Sequence, residues 1–288
     1  MSVVDLHTHS TASDGTYSPT RLVEYAKEKG LCALALTDHD TVAGVAEAQA
    51  AGAGVGLEVI PGIELSTVVE DRDVHLVGLY IDPDHPAIHR QLDGMLQGRL
   101  QRNRNILENL KRAGIDIDPS DMEQFGDAVI TRGHVGKVLM DKGYVRTLQE
   151  AMDRYLSKGR VGYASRITPS PQVCIDAVHE AGGLIFVAHV NRIHRDDPQH
   201  SLSICRRMLE LGADGLETLY CQYDAFWEQA TEELAREMGK LRSGGSDFHG
   251  AIKQGLDLGV GYGNLAVPVR FLHAIQQRLG RAAGGGTC

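Results

Sequence analysis

The residues best able to do chemistry are histidines and carboxylates that recur along short apolar runs. His7 and His9 end the run VVDLH and its continuation, and Asp14 follows in the next loop. Asp38, His39 and Asp40 close CALALTDHD, and Glu64 closes LEVIPGIEL. His75 begins or lies on VHLVGLYID, His189 ends LIFVAHV, and Asp247 and His249 end LRSGGSDFH. His7 and His9 are two apart, as are Asp247 and His249. On an extended strand such a pair points to one side, a natural way to grip one ion or two neighbouring ions. Any one of these histidines alone would be read as a core or surface residue. Burying all of them together without cations would be costly. Six histidines and three carboxylates (Asp14, Glu64, Asp247) are too many for one ion. Two or three ions are expected, with a carboxylate such as Glu64 able to bridge. Imidazole and carboxylate without thiolate suit Mn, Zn or Fe better than Cu(I) or an iron–sulfur cluster. Closely spaced ions with open positions polarise a phosphoryl oxygen, acidify a water and stabilise a leaving oxygen.

Residues so far apart must be positioned by alternating elements. The strand-like runs 3–7, 32–40, 57–65, 74–82, 184–190, 215–220 and 241–249 alternate with helical patterns, and a weak last strand lies at 264–269. PTRLVEYAKEKG (19–30) has Pro near its start, apolar spacing of three and four, and a closing Gly. TVAGVAEAQAAG, a helix at 170–182, SICRRMLELGA, AFWEQATEELAREMG and FLHAIQQRLG are the other helical segments of this part. About seven strands alternating with helices imply a parallel α/β barrel or open parallel sheet. In a barrel the strand ends converge on one face, where active sites sit. Residues 87–165 differ. AIHRQLDGMLQGRLQRNRNILENLKRAG reads as one long amphipathic helix, and GHVGKVLMDKG and TLQEAMDRYLSKG as short ones. This stretch reads as a helical insertion between barrel segments 1–86 and 166–288, whose tail RAAGGGTC is expected to be disordered.

The composition bounds the function. The chain has 288 residues, 42% hydrophobic, with a formal charge of −9, enough for a real core and too acidic for a general nucleic-acid coat. It has no apolar run of the roughly 18 residues a membrane helix needs and no signal-peptide pattern at MSVVDLHTHS. The five cysteines are scattered, with no CxxC pair, so a disulfide framework or Cys–zinc site is not expected and a cytoplasmic location is. AGAGVG lacks the Lys of a phosphate loop.

DLHTHSTASDG, ALTDHDT, PGIEL, VHLVG, VAHV and GSDFH resemble the successive motifs of the PHP (polymerase and histidinol phosphatase) phosphoesterases, over almost the whole chain. The resemblance implies a distorted (β/α)7 barrel with a trinuclear metal site. It implies one ion on His7, His9, Glu64 and Asp247, and a second on Asp14, His39 and His249. Glu64 would bridge to a third ion held with His75 and His189. The arginine-bearing helix, TRGHVGKVL, YLSKGRVGY and the last third are similar to the RNase AM-type subgroup and related nucleotide phosphatases. Those enzymes remove 5′ nucleotides from short RNA, and some release the 3′ phosphate of nucleoside 3′,5′-bisphosphates. The chain departs from the family in reading His189-Val190-Asn191 where His-Pro-Gly is usual.

Phosphate contacts call for cations. Arg132 and His134 in TRGH, Lys158 and Arg160 in SKGR, and Arg192 are the candidates, Arg being suited to bidentate phosphate contact. His134 has a second reading as a metal ligand. Arg99 and Arg102 read as a solvated helix face. His85, His89, His179, His194, His200 and His273 read as surface residues. Tyr220, Cys221, Tyr223 and Trp227 would stack on a base or cap the barrel. The expected activity is metal-assisted hydrolysis of nucleotide phosphoesters, with a nucleotide or short RNA as substrate and no obligatory protein partner. Mononucleotide or histidinol-phosphate phosphatase, a C–N hydrolase on a similar barrel and a non-catalytic metal-stabilised module are the rivals. No assigned strand end carries the Lys that such a C–N hydrolase uses.

Overall fold

The computed structural model describes residues 3–125, 130, 132–165 and 168–281. The tail expectation therefore lies outside the described residues from 282 onward. In chain order the elements are β1 (Val3–Thr8), α1 (Pro19–Glu28), β2 (Ala33–Leu36), α2 (Val45–Val55), β3 (Glu58–Val69) and β4 (Arg72–Leu79). Then come α3 (Pro86–Arg112), α4 (Arg132–Asp141), α5 (Leu148–Ala151) and α6 (Pro171–Glu180). β5 (Leu184–Val187), α7 (Pro198–Glu210), β6 (Gly215–Tyr220), α8 (Ala225–Glu237), β7 (Leu241–Gly245), β8 (Val267–Pro268) and α9 (Val269–Arg278) complete the chain. Three helices begin alike. Ser18, Ser170 and Asp197 each accept a backbone N–H of the first turn, and each is followed by Pro. The cap satisfies a donor the helix leaves open, and Pro fits where no N–H is needed.

The chain divides into two compact units, Met1–Leu92 with Pro169–Cys288, and Asp93–Thr168. The first holds one sheet of eight strands in the order β7-β6-β5-β4-β3-β2-β1-β8. β1, β2 and β3 are mutually parallel, as are β5, β6 and β7. The ends of the row come together after β7. There the Asp247 N–H donates to the His7 carbonyl, and the His9 N–H to the Phe248 carbonyl, both at 2.9 Å. The result is a nearly closed α/β barrel. Its closure needs Gly245, where a Cβ would lie 2.4 Å from the His7 Cβ.

The expectation of an all-parallel sheet is corrected at β4, which runs antiparallel to both β3 and β5. β3 and β4 are joined by Glu70 and Asp71 alone, at φ 51° and 61°. Such a two-residue link permits only an antiparallel pair, and its mirror-image turn suits the strand twist. β8, two residues long, is also antiparallel, to the start of β1.

The second unit is helical. Its core joins Ile106, Leu107 and Leu110 of α3 to Val135, Val138 and Leu139 of α4, with Ile115, Ile117, Val145, Ala151 and Leu156. Arg102, expected on a solvated face, is buried, with its guanidinium against the Asn103 side chain. Among the described residues no helix is long and apolar enough to cross a membrane.

Candidate metal centre

β1 delivers His7 and His9 to one point, and both are fully buried. At that point stands the carboxylate of Glu64, also fully buried. Its Oε2 lies 3.2 Å from His7 Nε2, 3.3 Å from His9 Nε2 and 2.8 Å from His39 Nδ1. Its Oε1 lies 2.9 Å from His75 Nδ1 and 2.8 Å from His189 Nε2. Five imidazoles thus surround one carboxylate. Glu64 does not end its strand as the sequence suggested. It sits mid-way along β3, beyond the end of β2 and beside His39, where the Asp40 N–H donates to its carbonyl. His75 reaches the same place from the first half of β4, because that strand runs the other way.

Asp247 and His249 meet differently from the extended pair expected. β7 stops at Gly245, and Asp247 takes a left-handed φ of 53°. This turn lays the following residues along β1 and brings His249 Nδ1 to 3.4 Å from Asp247 Oδ1. Asp247 Oδ1 is 3.2 Å from His9 Nε2 and 3.9 Å from His7 Nε2. Asp14, with a side chain 57% exposed, closes the outer side. It lies 3.3 Å from His249 Nε2, 3.8 Å from His39 Nε2 and 3.9 Å from His9 Nδ1. All nine expected ligands are therefore in one place. By donor-atom distance they form overlapping groups: His9, Asp14, His39 and His249; His7, Glu64 and His189; His7, His9 and Asp247; His39, Glu64 and His75.

The donor atoms fit divalent cations. His7 Nε2, both His9 nitrogens, His39 Nδ1 and Glu64 Oε2 are buried with no hydrogen-bond partner, an expensive state unless an ion takes their lone pairs. The rings are also crowded, with His9 and His249 centroids 4.1 Å apart and those of His9 and His39 4.4 Å apart. Burial works against charge on Glu64, but His39, His7 and His75 hold its carboxyl well below the usual range. Burial likewise opposes charge on His7, and Glu64 and Glu217 still hold it well above its ordinary value. His39 is pushed up to about 9, Glu64 outweighing burial. His189 moves down, burial outweighing its contact with Glu64. Without an ion, protons on selected imidazoles balance the central carboxylates.

Residues around this set fix its geometry, and several were not singled out from the sequence. Glu217, buried on β6, accepts the His7 Nδ1–H at 2.8 Å and the His189 backbone N–H at 2.6 Å. The first bond leaves His7 Nε2 as the free donor atom. The available signal was an acidic residue inside the apolar run GLETLY. Asp38 and Asp40 hold loops. Asp38 accepts the Ser10 N–H, the Ser10 hydroxyl and the Ser13 hydroxyl, fixing the turn that carries Asp14. Asp40 accepts the Ser66 N–H and hydroxyl. Tyr220, Cys221, Tyr223 and Trp227 are buried and cap this end of the barrel. The Tyr220 hydroxyl donates to Asp247 Oδ2 at 3.0 Å.

Residues 5–160 match the family model described as PHP domain. The chain belongs to the PHP domain family. A 5′-3′ exoribonuclease of Haemophilus influenzae is 36% identical over 85% of this PHP chain and 89% of its own length. A 3′,5′-nucleoside bisphosphate phosphatase of Chromobacterium violaceum is 34% identical over 90% of this chain and 91% of its own. A solved structure from Bifidobacterium adolescentis, described as a metal-dependent phosphoesterase, superposes with a TM-score of 0.77 at 30% identity, covering 96% of each chain.

This PHP chain turns its departure at Val190-Asn191 into two bonds. The Val190 N–H donates to the Tyr223 hydroxyl at 2.8 Å, a donor Pro lacks, and Asn191 Nδ2 donates to the Gln222 carbonyl at 3.0 Å. Of the expected phosphate contacts, Arg192 stands at the centre, with Nη1 3.2 Å from Asp247 Oδ2. Arg132, His134, Lys158 and Arg160 belong to the second unit. His134 stacks on Phe125 at 4.4 Å and joins no cluster of metal-capable side chains among the described residues.

Proposed function

We propose that this PHP protein is a metal-dependent phosphoester hydrolase of nucleotides. Its substrates would be the 5′ end of short RNA, nucleoside 3′,5′-bisphosphates, or both. The observation that carries the reading is Glu64 ringed by five imidazoles whose buried nitrogens include several with no partner. The names of the two relatives support the substrate class. His7, His9, Asp14, His39, Glu64, His75, His189, Asp247 and His249 would hold two to three divalent ions, manganese first, with zinc or iron also compatible.

Divalent ions so held would supply positive charge against phosphoryl oxygens and lower the pKa of water. The chain's own residues set the rest. Glu217 fixes the His7 tautomer, and Asp38 holds the Asp14 turn in place. Tyr220 anchors one oxygen of Asp247 so that the other faces the imidazoles. Arg192 offers a guanidinium at the edge of the centre for phosphate oxygens. Arg132, His134, Lys158 and Arg160 are the proposed nucleotide contacts of the second unit. A local cationic lining would reconcile an anionic substrate with the overall −9.

The test is turnover by Mn²⁺-reconstituted protein on a 5′-phosphorylated RNA oligomer, adenosine 3′,5′-bisphosphate, AMP and histidinol phosphate. Stepwise mononucleotide release from the RNA, or phosphate release from the bisphosphate, is expected and should be lost in His39→Ala. No turnover of any of these despite bound metal would sink the reading.

A further inference from the structure

Asp247 divides its two carboxylate oxygens. Oδ1 faces His9, His249 and His7. Oδ2 receives three donors: Lys253 Nζ at 2.7 Å, the Tyr220 hydroxyl at 3.0 Å and Arg192 Nη1 at 3.2 Å. Tyr220 is buried, and its hydroxyl anchors Oδ2 beside the two cations. The two cations are then more than this one carboxylate neutralises, particularly when its other oxygen faces a cation-binding cluster. Arg192 ends the short turn Val190–Arg192 after β5, and Lys253 directly follows the short turn Gly250–Ile252 after β7. Unlike the residues around Oδ1, both side chains are partly exposed, Arg192 by 40% and Lys253 by 22%. Lys253 has three N–H donors. Two are accounted for, by Asp247 Oδ2 and by the Asp247 carbonyl at 3.0 Å.

We propose that Lys253, with Arg192, forms a phosphate clamp at the edge of the metal centre. The clamp sets the preference for a phosphoester dianion, and it rests on the phosphoesterase reading above. A tetrahedral phosphoryl group presents several oxygens in different directions. Those turned away from the metal-facing cluster meet the remaining Lys253 N–H and the Arg192 fork, and Asp247 Oδ2 is where both cations rest in its absence. Planar, singly charged anions offer too few oxygens to engage both sides. Lys253 was not among the cations picked out from the sequence, because only the turn at Asp247 brings it back to the centre.

Inorganic phosphate titrated calorimetrically into Mn²⁺-loaded protein tests the clamp. Lys253→Met should keep its manganese content and thermal midpoint, while the phosphate dissociation constant rises about ten- to a hundredfold. Lys253→Arg should recover most of the affinity. In the wild-type protein, which needs no variant to fold, phosphate should protect Lys253 but not Lys29 from an amine-acylating reagent read by mass spectrometry. Unchanged phosphate affinity in Lys253→Met, or unchanged labelling of Lys253, would overturn the clamp. So would loss of manganese from Lys253→Met, which would leave the lysine only a support for Asp247. If the loaded wild-type protein turns over the substrates named above but binds no phosphate, the clamp alone fails; if it turns over none of them, the phosphoesterase reading fails and the clamp with it.

Discussion

Glu217 shows how a single side chain outside the ligand set governs it. It accepts two N–H groups, from the His7 ring and the His189 backbone, and both neighbours face Glu64 with their other atoms. Gln at this position has one acceptor oxygen and one donor NH₂ group, so one of the two N–H groups would meet another donor. Glu217→Gln is therefore expected to lower metal affinity by about 10- to 100-fold, measured by competition with a chelator of known affinity. An unchanged affinity would show that His7 is oriented by packing alone. The nine expected ligands were legible in the sequence because they recur at the ends of short runs or, as with Asp14, in the loop just after one. Glu217 was not, since one acid inside a strand looks the same whether it meets water or a buried imidazole.

At the scale of elements, one tight constraint lies where β1 passes β7. Gly245 has no room for a side chain against His7, and the two hydrogen bonds that nearly close the barrel follow directly after it. Gly245→Ala is expected to destabilise the protein by about 1–3 kcal/mol and to weaken metal binding with it, because His7 must shift. Urea unfolding of the metal-free protein, alongside a metal titration, measures both, and unaltered unfolding would refute the tight approach. Most elements were legible from apolar spacing, though the helix read as SICRRMLELGA in fact begins at Pro198, behind the Asp197 cap. The direction of β4 was not. The Glu70-Asp71 turn carries no glycine to announce a hairpin, yet both residues take positive φ. That reversal is why His75 acts from the first half of its strand.

Across the whole molecule, the metal centre ties stability to pH. His39 is raised to about 9 against an ordinary 6.5, and His7 is raised as well. In the metal-free protein the protonated form of His39 stabilises the fold fully below about pH 6.5, and this contribution is lost as pH rises through about 9, with His7 acting in the same direction. His189, lowered by burial, has the opposite sign, its contribution present above 6.5 and lost on acidification. Glu64 and Asp247, both depressed, contribute above the ordinary carboxylate range and lose that contribution only in strong acid. The melting midpoint of metal-free protein is therefore expected to fall between pH 6.5 and 9. With Mn²⁺ bound in place of those protons, it should fall much less over the same window. A differential scanning fluorimetry series in both states decides this, and parallel curves would contradict it.

The sequence by itself determined the donor inventory, nitrogen and oxygen without thiolate, and with it the class of ion. It also determined the alternation that builds an α/β barrel, and the family through motifs spread along almost the whole chain. Tertiary structure alone decided how the donors share space. His7 and Glu217 are 210 positions apart yet 2.8 Å from each other, and Lys253 meets Asp247 only because the chain turns through a left-handed residue. Local periodicity records which side of a strand a residue occupies. It holds no record of which strands close on one another, and that closure turns nine separate polar residues into one centre.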